Sequence, residues 1–265
     1  MRFENLASSS SGNSTYIGSD KTHLLIDCGI SRKRISEGLC SADIDLKDIS
    51  AILITHEHAD HISSLGVIQR TISIPVYATE GTIAGILSNP NLGPFDKSVF
   101  NVIKADRPFT VGDMLIKPLK VSHDALEPVC FRAECENKSF AVVTDLGYFD
   151  DYLVENLKGL DMIMAEANHD IRMLEAGKYP YYLKQRIAGK KGHLSNEASG
   201  QLISMLLHDN IKEVILGHLS RENNYPDLAR LAVETEIDMA ENKYKRSDFK
   251  IEVARPDIPL EITEV

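Results

Sequence analysis

The residues Thr55-His56-Glu57-His58-Ala59-Asp60-His61 follow directly on the apolar run Ala51-Ile52-Leu53-Ile54. Three imidazoles and the Asp60 carboxylate, delivered in one short loop at the end of a buried strand, form a natural set of metal ligands. Four other expected strands also end on a polar group. Asp27 closes Leu24-Leu25-Ile26, His123 follows Leu119-Lys120-Val121-Ser122, Asp145 follows Ala141-Val142-Val143-Thr144, and His218 follows Val214-Ile215-Leu216-Gly217. One His or Asp after a strand is ordinarily a turn or cap residue. Five at five strand ends, with His58, Asp60 and His61, are expected to converge along one rim of a sheet assembly.

The elements that must position them alternate between period-2 and helical patterns along the chain. Strands are expected at 2–6, 14–17, 23–27, 51–55 and 75–78, with helices from His61 and over 80–87. A second half opens at 99–103 and continues with strands at 114–121, 129–135, 139–144, 161–166, 213–217 and 249–253. Its helices are expected at 151–157, 195–208 and 226–238. Two sheets with helices outside each follow from this order, an α/β fold in a single domain over residues 1–265. The acidic tail from Pro256 is expected to cover the sheet or to fray.

Composition narrows the setting. The net charge of −10 argues against a generally basic, nucleic-acid-coated protein. Two divalent ions would nevertheless bring about four positive charges to the site itself, where a phosphate feels them most. No charged start leads into an apolar stretch, and no apolar run approaches the roughly 20 residues that span a bilayer, so the expected location is the cytoplasm, with no membrane partner. Cys28, Cys40, Cys130 and Cys135 lack paired spacing and read as reduced thiols.

The segment His56 to His61, with Asp27 before it and His123, Asp145 and His218 after it, resembles the metallo-β-lactamase superfamily. Within it, the Ser8-to-Ser14 opening, Glu166-Ala167-Asn168-His169-Asp170, and the pair Gly192-His193-Leu194-Ser195 and Gly217-His218-Leu219-Ser220 resemble the WalJ (YycJ, VicX) family. The resemblance implies an αββα sandwich of two mixed β-sheets flanked by helices, holding two divalent metals, and a 5′-to-3′ exonuclease acting on DNA. It implies that His56, His58 and His123 hold one ion, that Asp60, His61 and His218 hold the other, and that Asp145 bridges them. Asp27 would brace the His-rich loop. Imidazole and carboxylate suit Zn²⁺, Mn²⁺ or Fe, and a shared carboxylate keeps two ions close enough to clamp one hydroxide, the nucleophile, whose proton Asp60 would steer.

His193 is then the expected contact to the scissile phosphate or leaving oxygen, with an exposed loop histidine before a Ser195 cap as the alternative. His169 reads as a bracing group oriented by Glu166 and Asp170. Ser11, Gly12 and Asn13, together with Ser195, are candidates for cradling substrate phosphate, although Ser/Gly/Asn runs also make good turns. Basic clusters at Arg32 to Arg34, Lys184 to Lys191 and Lys243 to Arg246 read either as a phosphate-tracking surface or as solvated faces, and Tyr179 to Tyr182 as base-stacking or packed rings. His58, Asp145 and the short spacing from Asp145 to His218 disfavour flavo-diiron reductases, antibiotic-hydrolysing lactamases and RNase J-like nucleases. The readings left are a compact nuclease, a small-molecule phosphodiesterase or thioester or lactone hydrolase, and a silent metal-binding regulatory protein.

Overall fold

The computed structural model describes residues 1–264. Its first sheet contains β1 (Arg2–Ala7), β2 (Ser14–Gly18), β3 (His23–Ile26), β4 (Ala51–Leu53), β5 (Val76–Thr79) and β6 (Phe100–Ile103). The second contains β7 (Phe109–Val111), β8 (Met114–Lys120), β9 (Val129–Cys135), β10 (Lys138–Val143), β11 (Met162–Glu166), β12 (Glu213–Gly217) and β13 (Lys250–Val253). β14 (Thr263–Glu264) returns to the edge of β1, so the two orders are β14-β1-β2-β3-β4-β5-β6 and β13-β12-β11-β10-β9-β8-β7. Both sheets are mixed. β1 to β3 and β7 to β10 run antiparallel to their neighbours, while β3 to β6 and β10 to β13 pair in parallel.

Strand alternation builds the layers. In β3, Leu24 and Ile26 enter the core between the sheets while Leu25 points to the helices outside; in β10, Phe140 and Val142 face inward and Ala141 and Val143 outward. Phe3 and Phe140 meet across the sandwich with ring centroids 4.5 Å apart. The outer face of the first sheet is covered by α1 (Arg32–Ser41), α2 (Ala59–Ile62), α3 (Leu65–Thr71) and α4 (Glu80–Ser88). That of the second is covered by α5 (Asp151–Leu157), α8 (Asn196–Leu206) and α9 (Pro226–Met239), with α6 (Ile171–Ala176) and α7 (Tyr181–Ile187) between α5 and α8. The result is the expected αββα sandwich.

Two local expectations change, and of the two alternatives for the tail the structure takes the first. Residues 99–103 do not open the second sheet; β6 pairs in parallel with β5 and completes the first, because α4 makes the crossover that a parallel neighbour requires. The helix after the His-rich loop starts at Ala59, which puts Asp60 and His61 on its first turn. The tail does not fray: Leu260 N donates to Asn5 O at 3.0 Å and β14 pairs with β1, covering that edge. Cys28, Cys130 and Cys135 are buried and Cys40 is exposed, all as free thiols, and burial pushes the Cys130 thiol up to about 12. Among the described residues no helix is long and apolar enough to cross a membrane.

Candidate metal centre

The strand ends meet at one rim, and the backbone there is special. Asp27, Asp145 and His218 each follow a strand with φ of 61°, 60° and 57°, the left-handed region that side chains other than glycine enter at a cost. Such turns aim a side chain out of the strand end and are held by the surrounding contacts. His218 N donates to Ser8 Oγ at 2.7 Å, and Asn168 Nδ2 to His218 O at 2.9 Å. Asp27 is tied to the neighbouring strand end, accepting from Thr55 N and Thr55 Oγ1, each at 2.9 Å.

Two triads of donor atoms result. His56, His58 and His123 form one and Asp60, His61 and His218 the other, the atoms of each lying within 4.8 Å of one another. Asp145 stands between them. Its Oδ1 is 3.7 Å from His123 Nε2 and 3.4 Å from His218 Nε2, and its Oδ2 is 3.3 Å from His61 Nε2. Asp60 Oδ2 approaches His61 Nε2 at 3.4 Å and His218 Nε2 at 3.5 Å.

Outer partners fix which nitrogen faces inward. His61 Nδ1 donates to Asp27 Oδ2 at 2.7 Å, His218 Nδ1 to Glu166 Oε1 at 2.8 Å, and His123 Nδ1 to Gly192 O at 3.1 Å. Carboxylate and carbonyl oxygens can only accept, so each Nδ1 carries the hydrogen and each Nε2 turns toward the centre. Of those inner atoms, His61 Nε2 meets Asn13 Nδ2 at 3.1 Å and His123 Nε2 meets His58 Nδ1 at 3.3 Å. His56 Nε2, His218 Nε2 and Asp145 Oδ2 are buried with no hydrogen-bond partner among the described residues. Orphaned acceptors converging in a buried site are costly unless a cation satisfies them, so the residues fit a metal pair.

A sequence profile described as a beta-lactamase superfamily domain matches residues 22–219. The chain is 38% identical to exodeoxyribonuclease WalJ of Streptococcus pneumoniae over 100% of its own length and 98% of that protein. It is 36% identical to exodeoxyribonuclease YycJ of Bacillus anthracis, covering 100% and 99% of the two chains. The chain belongs to the WalJ/YycJ family of the metallo-β-lactamase superfamily. The crystal structure of the metallo-beta-lactamase fold protein YhfI from Bacillus subtilis superposes with a TM-score of 0.72 at 16% identity, covering 98% of this chain and 99% of that one, which bears on the fold. Membership of this superfamily carries divalent metal binding with it.

In this WalJ/YycJ-family site the other expected residues divide. His193 joins the rim: its Nδ1 is 2.8 Å from Glu166 Oε1, and its ring centroid lies 5.1 Å from those of both His123 and His218. Glu166 therefore holds His193 and His218, where the sequence had it orienting His169. Its other oxygen accepts from Leu146 N at 3.1 Å and Leu194 N at 3.0 Å. His169 is buried against Asn168 Oδ1 at 3.3 Å and bridges backbone to Ser195, while Asp170 caps α6, so neither shapes the rim directly.

The phosphate cradle expected of Gly12, Asn13 and Ser195 is spent on scaffolding. Asn13 Nδ2 donates to Asp60 Oδ2 at 3.3 Å, Asn13 Oδ1 accepts from Ser9 N at 3.1 Å, and Ser195 Oγ caps α8 through Ala198 N at 3.2 Å. A Cβ on Gly12 would lie 2.6 Å from Ile30 Cγ2, so the glycine serves a close chain crossing. Ser11 remains exposed, its Oγ 2.9 Å from Ser9 Oγ. Sequence reasoning missed Asn13 and Ser8 as braces and also Asp124, whose Oδ1 is 3.3 Å from His123 Nε2. The acidic residue next to His123 was the available signal.

Electrostatics match a site built for cations. Burial, together with the neighbouring His61 charge, pushes His56 well below the usual imidazole range. Burial opposes charge on His218, yet Asp145, Asp60 and Glu166 raise it to about 10, and Asp27 and Asp145 likewise hold His61 well above its ordinary value. Without metal the site thus keeps imidazolium protons through neutral pH. A raised histidine stabilises the fold fully below its unfolded pKa of about 6.5, and that contribution is lost as pH rises through the folded value. Chelator-treated protein is therefore expected to lose melting temperature between about pH 6.5 and 10. Metal-loaded protein, in which ions replace those protons, should hold its melting temperature better; parallel curves in thermal scans would contradict this.

Asp27→Asn probes the bracing. The left-handed backbone tolerates Asn, but the amide cannot satisfy Thr55 N, Thr55 Oγ1 and His61 Nδ1 together. Metal affinity is expected to fall by about 10- to 100-fold, measured by competition with a chromophoric chelator. An unchanged affinity would remove Asp27 from the site.

Proposed function

We propose that this protein is a cytoplasmic, dinuclear metal-dependent phosphodiesterase that digests DNA from 5′ ends. The observation that carries the reading is the pair of donor triads sharing Asp145, on a chain alike over its whole length to two exodeoxyribonucleases. His56, His58 and His123 would hold one divalent ion and Asp60, His61 and His218 the second, with Asp145 common to both. Zn²⁺ or Mn²⁺ is preferred, and Fe also suits these ligands. Bound there, the ions would activate water and neutralise charge developing on the phosphate.

The chain's own residues do the rest. Asp60, steadied by Asn13 Nδ2, would accept a proton from the attacking water. Glu166 Oε1 accepts from His193 Nδ1, which leaves Nε2 free; in the imidazolium form, with a second proton on Nε2, His193 would give that proton to the leaving oxygen or hydrogen-bond a phosphoryl oxygen. Both sheets contribute ligands over one shared inter-sheet core, so we read residues 1–265 as one catalytic unit.

The test is nucleotide release from duplex DNA labelled at either end. Metal-loaded protein is expected to release mononucleotides from the 5′-phosphorylated end first and to stop when chelator is added. Release from the 3′ end first would refute the polarity. Cleavage of a small phosphodiester but no DNA would favour a small-molecule substrate.

A further inference from the structure

Helix α7 is seven residues long and buries none of them. So short a helix is marginal by itself and contributes nothing to the core. It is nonetheless tied to the metal rim at its C-terminal end. Arg186 Nε pairs with Asp124 Oδ2 at 2.5 Å, Ser122 Oγ donates to Lys190 O at 2.8 Å, and His193 N donates to Ile187 O at 2.9 Å. Gly192 O, which takes the Nδ1 hydrogen of His123, belongs to the same turn. The fold therefore fixes α7 beside the candidate metal ligands and leaves its outer surface to solvent.

That surface has a definite chemistry. Tyr181 and Tyr182 are 74% and 73% exposed. Tyr182 and Arg186 stand four residues apart on the helix and share a face, so this ring lies one turn back from the guanidinium on the rim. From Asp170 to Ser195 the chain has six basic residues and two acidic ones, in a protein of net charge −10. Lys178, Lys190 and Lys191 are exposed, with no ion pair among the described residues. Exposed rings beside uncompensated lysines, continuous with a phosphodiester-cleaving rim, match a single nucleic-acid strand: bases have π-faces to stack and phosphates to pair with cations.

We infer that α7 and the turn after it are a single-strand DNA platform, on which Tyr181 and Tyr182 stack bases while Lys190 and Lys191 follow the phosphates into the metal centre. The inference rests on the nuclease reading above and adds to it how the strand is held. It makes the two tyrosines specificity residues for polymeric substrate, remote from the reacting atoms.

The experiment measures fluorescence anisotropy of a cleavage-resistant phosphorothioate single strand on metal-loaded protein, for wild type, Tyr181→Ala, Tyr182→Ala and Tyr182→Phe. Both positions are exposed, so folding is preserved. Each alanine is expected to weaken binding by about 5- to 150-fold, the worth of one stacked base, and phenylalanine to restore it. The ratio of kcat/KM for DNA to that for a small aryl phosphodiester should fall by a similar factor in the alanine variants. Wild-type oligonucleotide affinity in both alanine variants overturns the platform and leaves the nuclease reading standing. Wild-type protein that cleaves the aryl diester but releases nothing from DNA overturns that reading and the platform with it.

Discussion

Asp145→Asn is expected to lower nucleotide release from DNA by about 10²- to 10³-fold while the protein stays folded. Asp145 is the only carboxylate that approaches both triads, through His123 and His218 on Oδ1 and His61 on Oδ2, among the described residues. Burial works against its charge, yet His218 and His61 hold its carboxyl well below the usual range, so the ionised form is what the site is built around. An amide has nearly the same shape but no charge, and it replaces one acceptor oxygen with a donor aimed at imidazole nitrogens or a cation. The backbone is undisturbed, because Asn is among the few residues that occupy φ near 60° readily. Metal content and rate measured together make the test specific: loss of about one ion per chain with the rate is the expected pair. A variant with wild-type rate would exclude Asp145 from the centre.

Gly29→Ala should be damaging for a different reason, with activity falling by about 10²-fold or more and stability by about 1–3 kcal/mol. A Cβ at position 29 would lie 1.6 Å from Asp60 O and 2.8 Å from His61 N. Both are backbone atoms of the first turn of α2, so no side-chain rotation relieves the clash. The same crossing is pinned by Gly29 N to Asn13 O and Cys28 N to His61 O, each at 2.8 Å, and by Ser63 Oγ to Gly29 O at 2.8 Å. The methyl must push α2 away, carrying Asp60 and His61 off the positions they share with His218. Gly159→Ala is the control. Its backbone is strained at φ of 75°, but no neighbour lies within 4 Å, so a small loss of melting temperature with full metal content is expected. Equal metal content and rate in Gly29→Ala and wild type would show that the crossing does not set the ligand geometry.

Much of this site is legible before folding because its chemistry sits at strand ends. A buried strand is a continuous apolar run, so the first charged residue after Leu24-Leu25-Ile26 or Ala141-Val142-Val143-Thr144 is conspicuous, and parallel strands bring such ends to one rim. The two triads combine residues of the His-rich loop with His123 and His218; residue types marked them as candidates, while their grouping came from the resemblance to the metallo-β-lactamase superfamily. The two-sheet architecture was legible from the order of strand and helix patterns, whereas in the uniformly apolar Leu24-Leu25-Ile26 only the structure shows that Leu24 enters the inter-sheet core and Leu25 the outer layer.

Tertiary structure alone decided what each candidate leans on. Glu166 is three residues from His169 in sequence, yet it hydrogen-bonds His193 and His218, which lie 27 and 52 positions away. Ser8 holds the backbone of His218 across 210 positions, and Asn13 spends its amide on Asp60 in place of a phosphate. The sequence by itself determined the reactive groups and the order of strands and helices, because those depend on residue type and local period. Which acceptor meets which ring, and that α7 lies bare beside the rim, depended on chain crossings such as Gly29 over Asp60, where backbone packing sets the distance and no local pattern records it.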